Sequence, residues 1–496
     1  MFLESELLSS FPPDTPVSAA AVRKAIDAGG TKSGVLVVLD DDPTGTQSVA
    51  DLPVLTTWTV EDFAWAFAMD GPAVYVLTNT RSLDPQEAFE RNRQVVRNAR
   101  IAAGESRAVT FVSRSDSTLR GHFPLEPDAI AGTLANDFDE QIDGVVIVPA
   151  FPEAGRITIG GVHYMRQDHG TVVPVSETEF AQDATFGFAH SELARYVEEK
   201  SGGRIPAASV IGIDLSVLRQ PDDQRTADAV AAVLDRAHNG SIIVADCVSE
   251  NDLRRLALGL EAAEAGGKRF IYRVGPPFVR GRIGQEMRAP LSADDVFGAL
   301  EPRDRGGLIV VGSHVGLTSR QLAELTRQHP AATVIEIDVQ ILLDGGRGAY
   351  LDQAVSDVTE ALKAGDVVLH TSRQLVRADD AASSLRIARS VSDALVEVVN
   401  RTLKTYAPRF VIAKGGITSS DVATHGLEVR RALVRGPMLP GIVSLWEPVQ
   451  GPAQGIPYVV FAGNVGDDSS LAAVTRTLSS RFETTAPTRI AREGTR

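Results

Sequence analysis

Short runs of β-branched and aliphatic residues recur along the chain, and most are followed by a longer stretch with helical spacing. The pattern predicts strands over 35–39, 73–77, 108–112, 145–148, 210–213 and 242–245. A second set follows over 308–311, 333–337, 367–369, 410–413, 442–445 and 458–461. These runs are apolar throughout rather than alternating, as expected of parallel strands covered on both faces. Asp84-Pro85 supplies a cap and a first-turn proline for a helix to about Ala103. Ala388, Val391, Leu395, Val398 and Val399 share one face of a helix expected over 384–406.

Strand and helix in alternation define an α/β class. The 496 residues exceed what one hydrophobic core holds. Two domains are therefore expected, each built on a mainly parallel sheet flanked by helices, with the active site in the cleft between them. Residues 1–33 read as an N-terminal extension and 34–274 as the first domain. Residues 275–306, rich in Gly and Pro, read as a crossing segment with one short helix near 293–300. The second domain spans 307–482, and 483–496 form a polar tail.

Charge narrows the function. A formal net charge of −15 argues against a nucleic-acid partner, and no basic block counters it. The single cysteine, Cys247, excludes an intrachain disulfide and reads as a small buried hydrophobe. The acidic start lacks the basic region of a signal peptide, and no apolar run reaches the roughly 18–20 residues that span a bilayer. A cytoplasmic protein without a membrane partner is expected, and a homodimer is the generic expectation.

Candidate chemistry lies in loops that follow predicted strands, where open α/β sheets bind ligands. Asp40-Asp-Asp-Pro-Thr-Gly-Thr46 places three carboxylates together, which demands a cation, an arginine or a substrate hydroxyl. Ser113-Arg-Ser-Asp-Ser-Thr-Leu-Arg-Gly-His122 combines arginines, a carboxylate and hydroxyls, a set able to grip a carboxylate and a polyol. Pro149-Ala-Phe-Pro-Glu-Ala-Gly-Arg156 leads on to Gly160-Gly-Val-His163. In the second half, Gly312-Ser-His-Val-Gly-Leu-Thr-Ser319, Lys414-Gly-Gly-Ile-Thr-Ser-Ser-Asp421 and Gly463-Asn-Val-Gly-Asp467 each follow a strand and lead into a helix. Three such loops suit phosphates, because glycines allow close approach and helix starts offer free N–H groups.

Other motifs are missing. There is no G-x-x-x-x-G-K-[ST] loop, no G-x-G-x-x-G after a strand and no H-E-x-x-H spacing among the nine histidines.

Together these loops resemble the four-carbon acid sugar kinase family. The resemblance rests on Asp41-Asp-Pro-Thr-Gly45, Asp116-Ser-Thr-Leu-Arg-Gly121, Phe151-Pro-Glu-Ala-Gly-Arg156 with Gly160-Gly-Val-His163, and Gly312-Ser313 with Thr318 and Gln321. It is completed by Gly415-Gly-Ile-Thr-Ser419 and Gly463-Asn-Val-Gly466, and extends from about residue 34 to 480. It implies an N-terminal sugar-acid-binding domain, a C-terminal nucleotide-binding domain, and ATP-dependent phosphorylation of a tetronate on its terminal hydroxyl. Erythronate, threonate or a 3-oxo derivative would be such a substrate. Asp41, Arg114, Ser117, Arg120, Gly121 and Arg156 would then face the sugar acid, with Asp42 and Asp116 both candidates for the proton acceptor. Ser313, Lys414, Gly415, Gly416, Thr418, Ser419, Gly463, Asn464, Val465 and Gly466 would face ATP, accompanied by Mg2+; no metal ligands are assigned. The chain departs from the usual family pattern at Val315 and Ile417, where Ser and Glu are common, and at Arg114, where Lys is common. An oxidoreductase or isomerase of sugar acids, or a non-catalytic sensor of sugar acid or nucleotide, are the rival readings.

Overall fold

The computed structural model describes residues 2–29, 34–298, 304–313, 315–343, 347–372 and 381–482. The tail expected over 483–496 lies outside them. The chain divides into two compact units: Met1–Arg288 with Arg430–Gly436, and Ala289–Val429 with Pro437–Arg496.

The first unit is built on parallel strands in the spatial order Ile211–Ile213, Ser241–Ala245, Gly144–Val148, Phe270–Val274, Val109–Arg114, Val35–Asp40, Ala73–Leu77 and Leu52–Leu55. Residues 431–434 add an antiparallel edge beside Leu52–Leu55. Val37, Val74, Val76, Phe111, Val145 and Ile271 all contribute to one buried cluster against Val95, Val96, Ile130 and Leu134 of the covering helices. The helix expected from Asp84 runs Pro85–Ala103, with the Asp84 carboxylate accepting from the Glu87 N–H at 2.9 Å. Arg156–Ile159, Val162–Arg166 and Thr171–Pro174 form a separate antiparallel sheet. Gly160 and Gly161, expected as part of a ligand loop, make its first hairpin turn, both with positive φ.

Residues 2–29, expected as an extension, pack onto this unit. Phe2–Leu3 pairs with Val172 and Thr171, Glu4 receives Arg166 at 2.7 and 2.8 Å, and Val17 and Val22 bury against Ala257 and Leu258. The first part of the expected crossing segment also belongs here. Its helix Pro277–Arg282 buries Arg280 against Glu153 and Glu250, and Arg282 against Glu261 and Glu264. Buried arginines need carboxylates, and this helix finds them on the first unit.

The second unit has parallel strands in the order Tyr458–Phe461, Val411–Lys414, Leu308–Val311, Val367–Thr371 and Thr333–Ile337, with Val443–Pro448 antiparallel to the first of these. Ile309, Val311, Ile412, Val459 and Phe461 meet Leu325, Leu471 and Leu478 in its core. Cys247 is buried, as expected of an apolar role. Among the described residues no helix is long and apolar enough to cross a membrane.

Candidate active site

In the first unit, the ends of the Val35, Ala73 and Val109 strands bring the predicted loops together. Asp40 and Arg114 are register partners on neighbouring parallel strands. Arg114 ion-pairs with Asp40, lies 3.6 Å from Asp41 and donates to the Asp42 carbonyl. Arg114, expected to face the sugar acid, is 2% exposed and turned into the acidic loop. A triplet of carboxylates in a poorly solvated place requires such a fixed counter-charge.

The second counter-charge is Arg81, which the sequence reading did not select. Its Nη2 and Nε donate to the two Asp41 oxygens at 2.7 and 3.1 Å, and its Nη1 lies 3.6 Å from Asp42. It belongs to the turn Thr80–Ser82, close after the strand Ala73–Leu77. The signal was available: an arginine in a strand-end loop, the same criterion that selected the other candidates.

Burial pushes the Asp40 carboxyl up to about 7 despite Arg114, and pushes Asp41 up against Arg81 and Arg114. For Asp42 burial acts the same way, but Arg81, Arg114 and the Thr44 hydrogen bonds outweigh it and hold the carboxyl low. Asp116 is also held low, at about 2: burial opposes ionisation, while Arg81 and Arg120 win. Arg120 Nε donates to Asp116 at 2.7 Å, and Thr118 adds a hydroxyl to the same oxygen.

Gly121 has φ +127, and a Cβ there would stand 2.8 Å from an Arg273 nitrogen and 3.2 Å from Asp41. Only glycine fits that approach. Arg273 in turn is buried against Glu126 and donates to the Ser113 hydroxyl at 2.7 Å. His163 is buried, its Nε2 2.8 Å from the Ser117 carbonyl and its Nδ1 2.9 Å from the Thr158 hydroxyl; burial pushes it down to about 4, so it is neutral. It therefore fixes the Asp116–Gly121 loop from behind. Glu153 is occupied by Arg280.

Arg156 differs from the other arginines here. Its Nη1 donates to the Ala154 carbonyl at 2.7 Å, while its buried Nε has no hydrogen-bond partner. Among the described residues it forms no ion pair. Burial pushes its pKa down, as expected of a cation short of counter-charge. An anion placed beside it would satisfy both deficits.

In the second unit, three loops converge. Thr318 Oγ1 donates to the Gly463 carbonyl at 2.8 Å and lies 3.3 Å from Ser313 Oγ. Gln321 donates to the Val465 and Asp467 carbonyls at 3.0 and 2.7 Å. Gly415, at φ +130, would place a Cβ 2.9 Å from Thr418 Oγ1 and 3.1 Å from Ser313 Cβ. Ser313, Gly415, Thr418 and Gly463 thus lie together at the ends of neighbouring parallel strands, bordered by the starts of the helices Gly316–Gln328 and Gly416–Asp421. The third helix begins later than expected, at Ser470, with Gly466 in a positive-φ turn before it. Gly416 and Gly463 are half-exposed, Asn464 and Gly466 exposed. Val315 and Ile417 project from the same rim, 48% and 61% exposed. His314 lies outside the described residues.

Two predicted nucleotide residues are turned inward. Ser419 Oγ donates to the Ala413 carbonyl at 2.8 Å. Lys414 is fully buried, donates to the Ala462 carbonyl at 2.5 Å and sits 3.9 Å over the Phe461 ring; burial pushes its ammonium down to about 7. Both support the loops from beneath. Among the described residues no three His, Cys, Asp or Glu side chains group to hold a metal ion.

Comparison with known proteins agrees with this division. Residues 36–282 match a family described as a sugar-binding N-terminal domain, and residues 308–471 one described as a nucleotide-binding C-terminal domain. The two halves thus pair a sugar-binding domain with a nucleotide-binding one. The chain belongs to the four-carbon acid sugar kinase family. It is 27% identical over 344 residues to a D-erythronate kinase of Heliobacterium modesticaldum, covering 67% of this chain and 70% of that one. It is 26% identical over 382 residues to a D-threonate kinase of Cupriavidus necator, covering 73% and 80%. Solved structures share the fold. A Salmonella typhimurium LT2 protein has a TM-score of 0.65 at 19% identity, over 89% of this chain and 99% of that one. Haemophilus influenzae protein HI1011 has a TM-score of 0.60 at 17% identity, over 89% and 100%.

Proposed function

We propose that this enzyme uses ATP to phosphorylate the terminal hydroxyl of a tetronate, with erythronate, threonate and 3-oxo-tetronates as the substrate class. The observation that carries the reading is Arg156: a half-buried guanidinium with an unmet donor, beside Asp116, Arg120 and a hydroxyl-rich loop. A sugar acid offers what that place lacks, a carboxylate for the arginines and hydroxyls for the acids.

Phosphoryl transfer depends on positioning and charge neutralisation more than on covalent chemistry. In this reading Arg156 and Arg120 hold the substrate carboxylate. Arg114 and Arg81 hold the acidic loop in place rather than binding substrate directly. Asp42 accepts the proton of the attacking hydroxyl. Its nearest cation is 3.6 Å away, whereas Asp116 is directly paired with Arg120 at 2.7 Å and is the poorer base. Ser313, Gly415, Gly416, Thr418 and the Gly463–Gly466 turn cradle the triphosphate. With no protein cage in the described residues, the expected Mg2+ would be carried by the triphosphate.

Coupled ADP detection over a tetronate panel tests this. Turnover of at least one four-carbon acid is expected. Tight binding of ATP and acid without turnover would favour a sensor instead, and a change in nicotinamide absorbance would favour an oxidoreductase.

A further inference from the structure

Phe180 lies outside every motif that the sequence singled out. It sits half-buried on the turn Glu179–Gln182 of the first unit. The guanidinium carbons of Arg120 and Arg156 both lie over its ring, 5.0 and 5.8 Å from the centroid. Two like charges brought to one place repel, and an aromatic face offsets that repulsion best where water is scarce. Contact with the ring also restricts each guanidinium, which favours meeting a carboxylate bidentately.

The turn is tied to the loop whose arginine it carries. Asp183 accepts from the Thr185 and Phe186 N–H groups at 2.9 and 3.0 Å and lies 3.6 Å from Arg120. Phe186 meets His122 edge-on at 5.0 Å. Phe188 meets Tyr196 at 5.7 Å, and the Tyr196 hydroxyl donates to the Leu119 carbonyl at 2.9 Å. Phe180 is thus held against the Asp116–Gly121 loop rather than merely leaning on it.

We propose that Phe180 is a positioning residue that holds Arg120 and Arg156 as one clamp for the substrate carboxylate, and so sets the preference for a sugar acid over the neutral polyol of the same length. This rests on the tetronate kinase reading above. Phe180 takes no part in proton or phosphoryl transfer, so its removal acts on acid recognition.

The test compares wild type, Phe180→Leu and Phe180→Tyr in steady-state kinetics with the preferred tetronate and the matching tetritol. Phe180→Leu should raise KM for the tetronate about tenfold, with kcat and KM for ATP held within about twofold. Its selectivity for acid over tetritol should fall by the same factor. Phe180→Tyr keeps the aromatic face and should restore the wild-type KM. Should Phe180→Leu fail to fold, Phe180→Met carries the same expectation. An unchanged tetronate KM in a folded Leu or Met variant, or equal losses with acid and tetritol, overturns the proposal while leaving the kinase reading intact. A wild type without tetronate turnover fells both.

Discussion

Arg114 and Asp40 stand opposite each other in register at the carboxyl ends of adjacent parallel strands, and each side chain of the ion pair is 2% exposed. This pair is where the acidic loop becomes compatible with burial. Without Arg114, Asp40 loses its partner and the Asp42 carbonyl loses a donor. Arg114→Met is expected to destabilise the first unit by about 3–5 kcal/mol, because it strands a buried charge. Urea unfolding followed separately in each unit checks this: the first unit's midpoint falls and the second unit's does not. Arg114→Lys should recover only part of the loss.

Arg156 tests substrate recognition. Arg156→Met should lower kcat/KM for the acid by about 10- to 200-fold, the loss of one or more charge-assisted hydrogen bonds. KM for ATP should stay the same. Stability should hold or rise, since the cation has no ion-pair partner among the described residues. Calorimetric titration of tetronate into both proteins reads the effect.

The two candidate bases are separable by kinetics. Asp42→Asn should reduce kcat by about 10²–10⁴ with little change in KM. Asp116→Asn weakens the 2.7 Å contact that orients Arg120 and should mainly raise KM for the acid. The reverse pattern would make Asp116 the proton acceptor.

Lys414 gives a pH dependence. Burial holds its folded pKa at about 7, below the ordinary 10.5. The folded state therefore binds fewer protons than the unfolded chain between those values. Stability from this group is fully present above the unfolded pKa and is lost as pH falls from there to about 7, where the loss is complete. A charged Lys414 beneath the Gly463 turn also favours the triphosphate, so ATP affinity should weaken as pH rises through 7. Lys414→Met should flatten both profiles relative to wild type, measured by thermal melting and by KM for ATP.

Gly415→Ala isolates the nucleotide loops. At φ +130 and with Thr418 Oγ1 2.9 Å from the added methyl, alanine must shift the turn. KM for ATP should rise about tenfold or more, an estimate from the strain at such a position. Tetronate binding, measured without nucleotide, should be unaffected.

Much of this arrangement is legible from local pattern. The parallel strands announce themselves as uniformly apolar runs, and Asp84-Pro85 marks its helix start. What local pattern misses depends on distant partners. The strand Phe270–Val274 lies between two recognised strands, yet carries Arg273, neutralised by Glu126 from another element. Leu52–Leu55 holds a proline and is short. Charge pattern alone could not tell Arg114, consumed by Asp40, from Arg156, left with an unmet donor. Nor could spacing reveal Lys414 and Ser419 turning inward, since that follows from how the Val411 strand enters its loop.

The most direct measurement is isotope-traced transfer from γ-labelled ATP to a set of four-carbon acids and their neutral polyols, with product position read by phosphorus–carbon coupling. A tetronate kinase is expected to place label on the terminal oxygen of an acid and little on the polyols. Label on the polyols at equal rates, or ATP turnover indifferent to every acid offered, would contradict that reading.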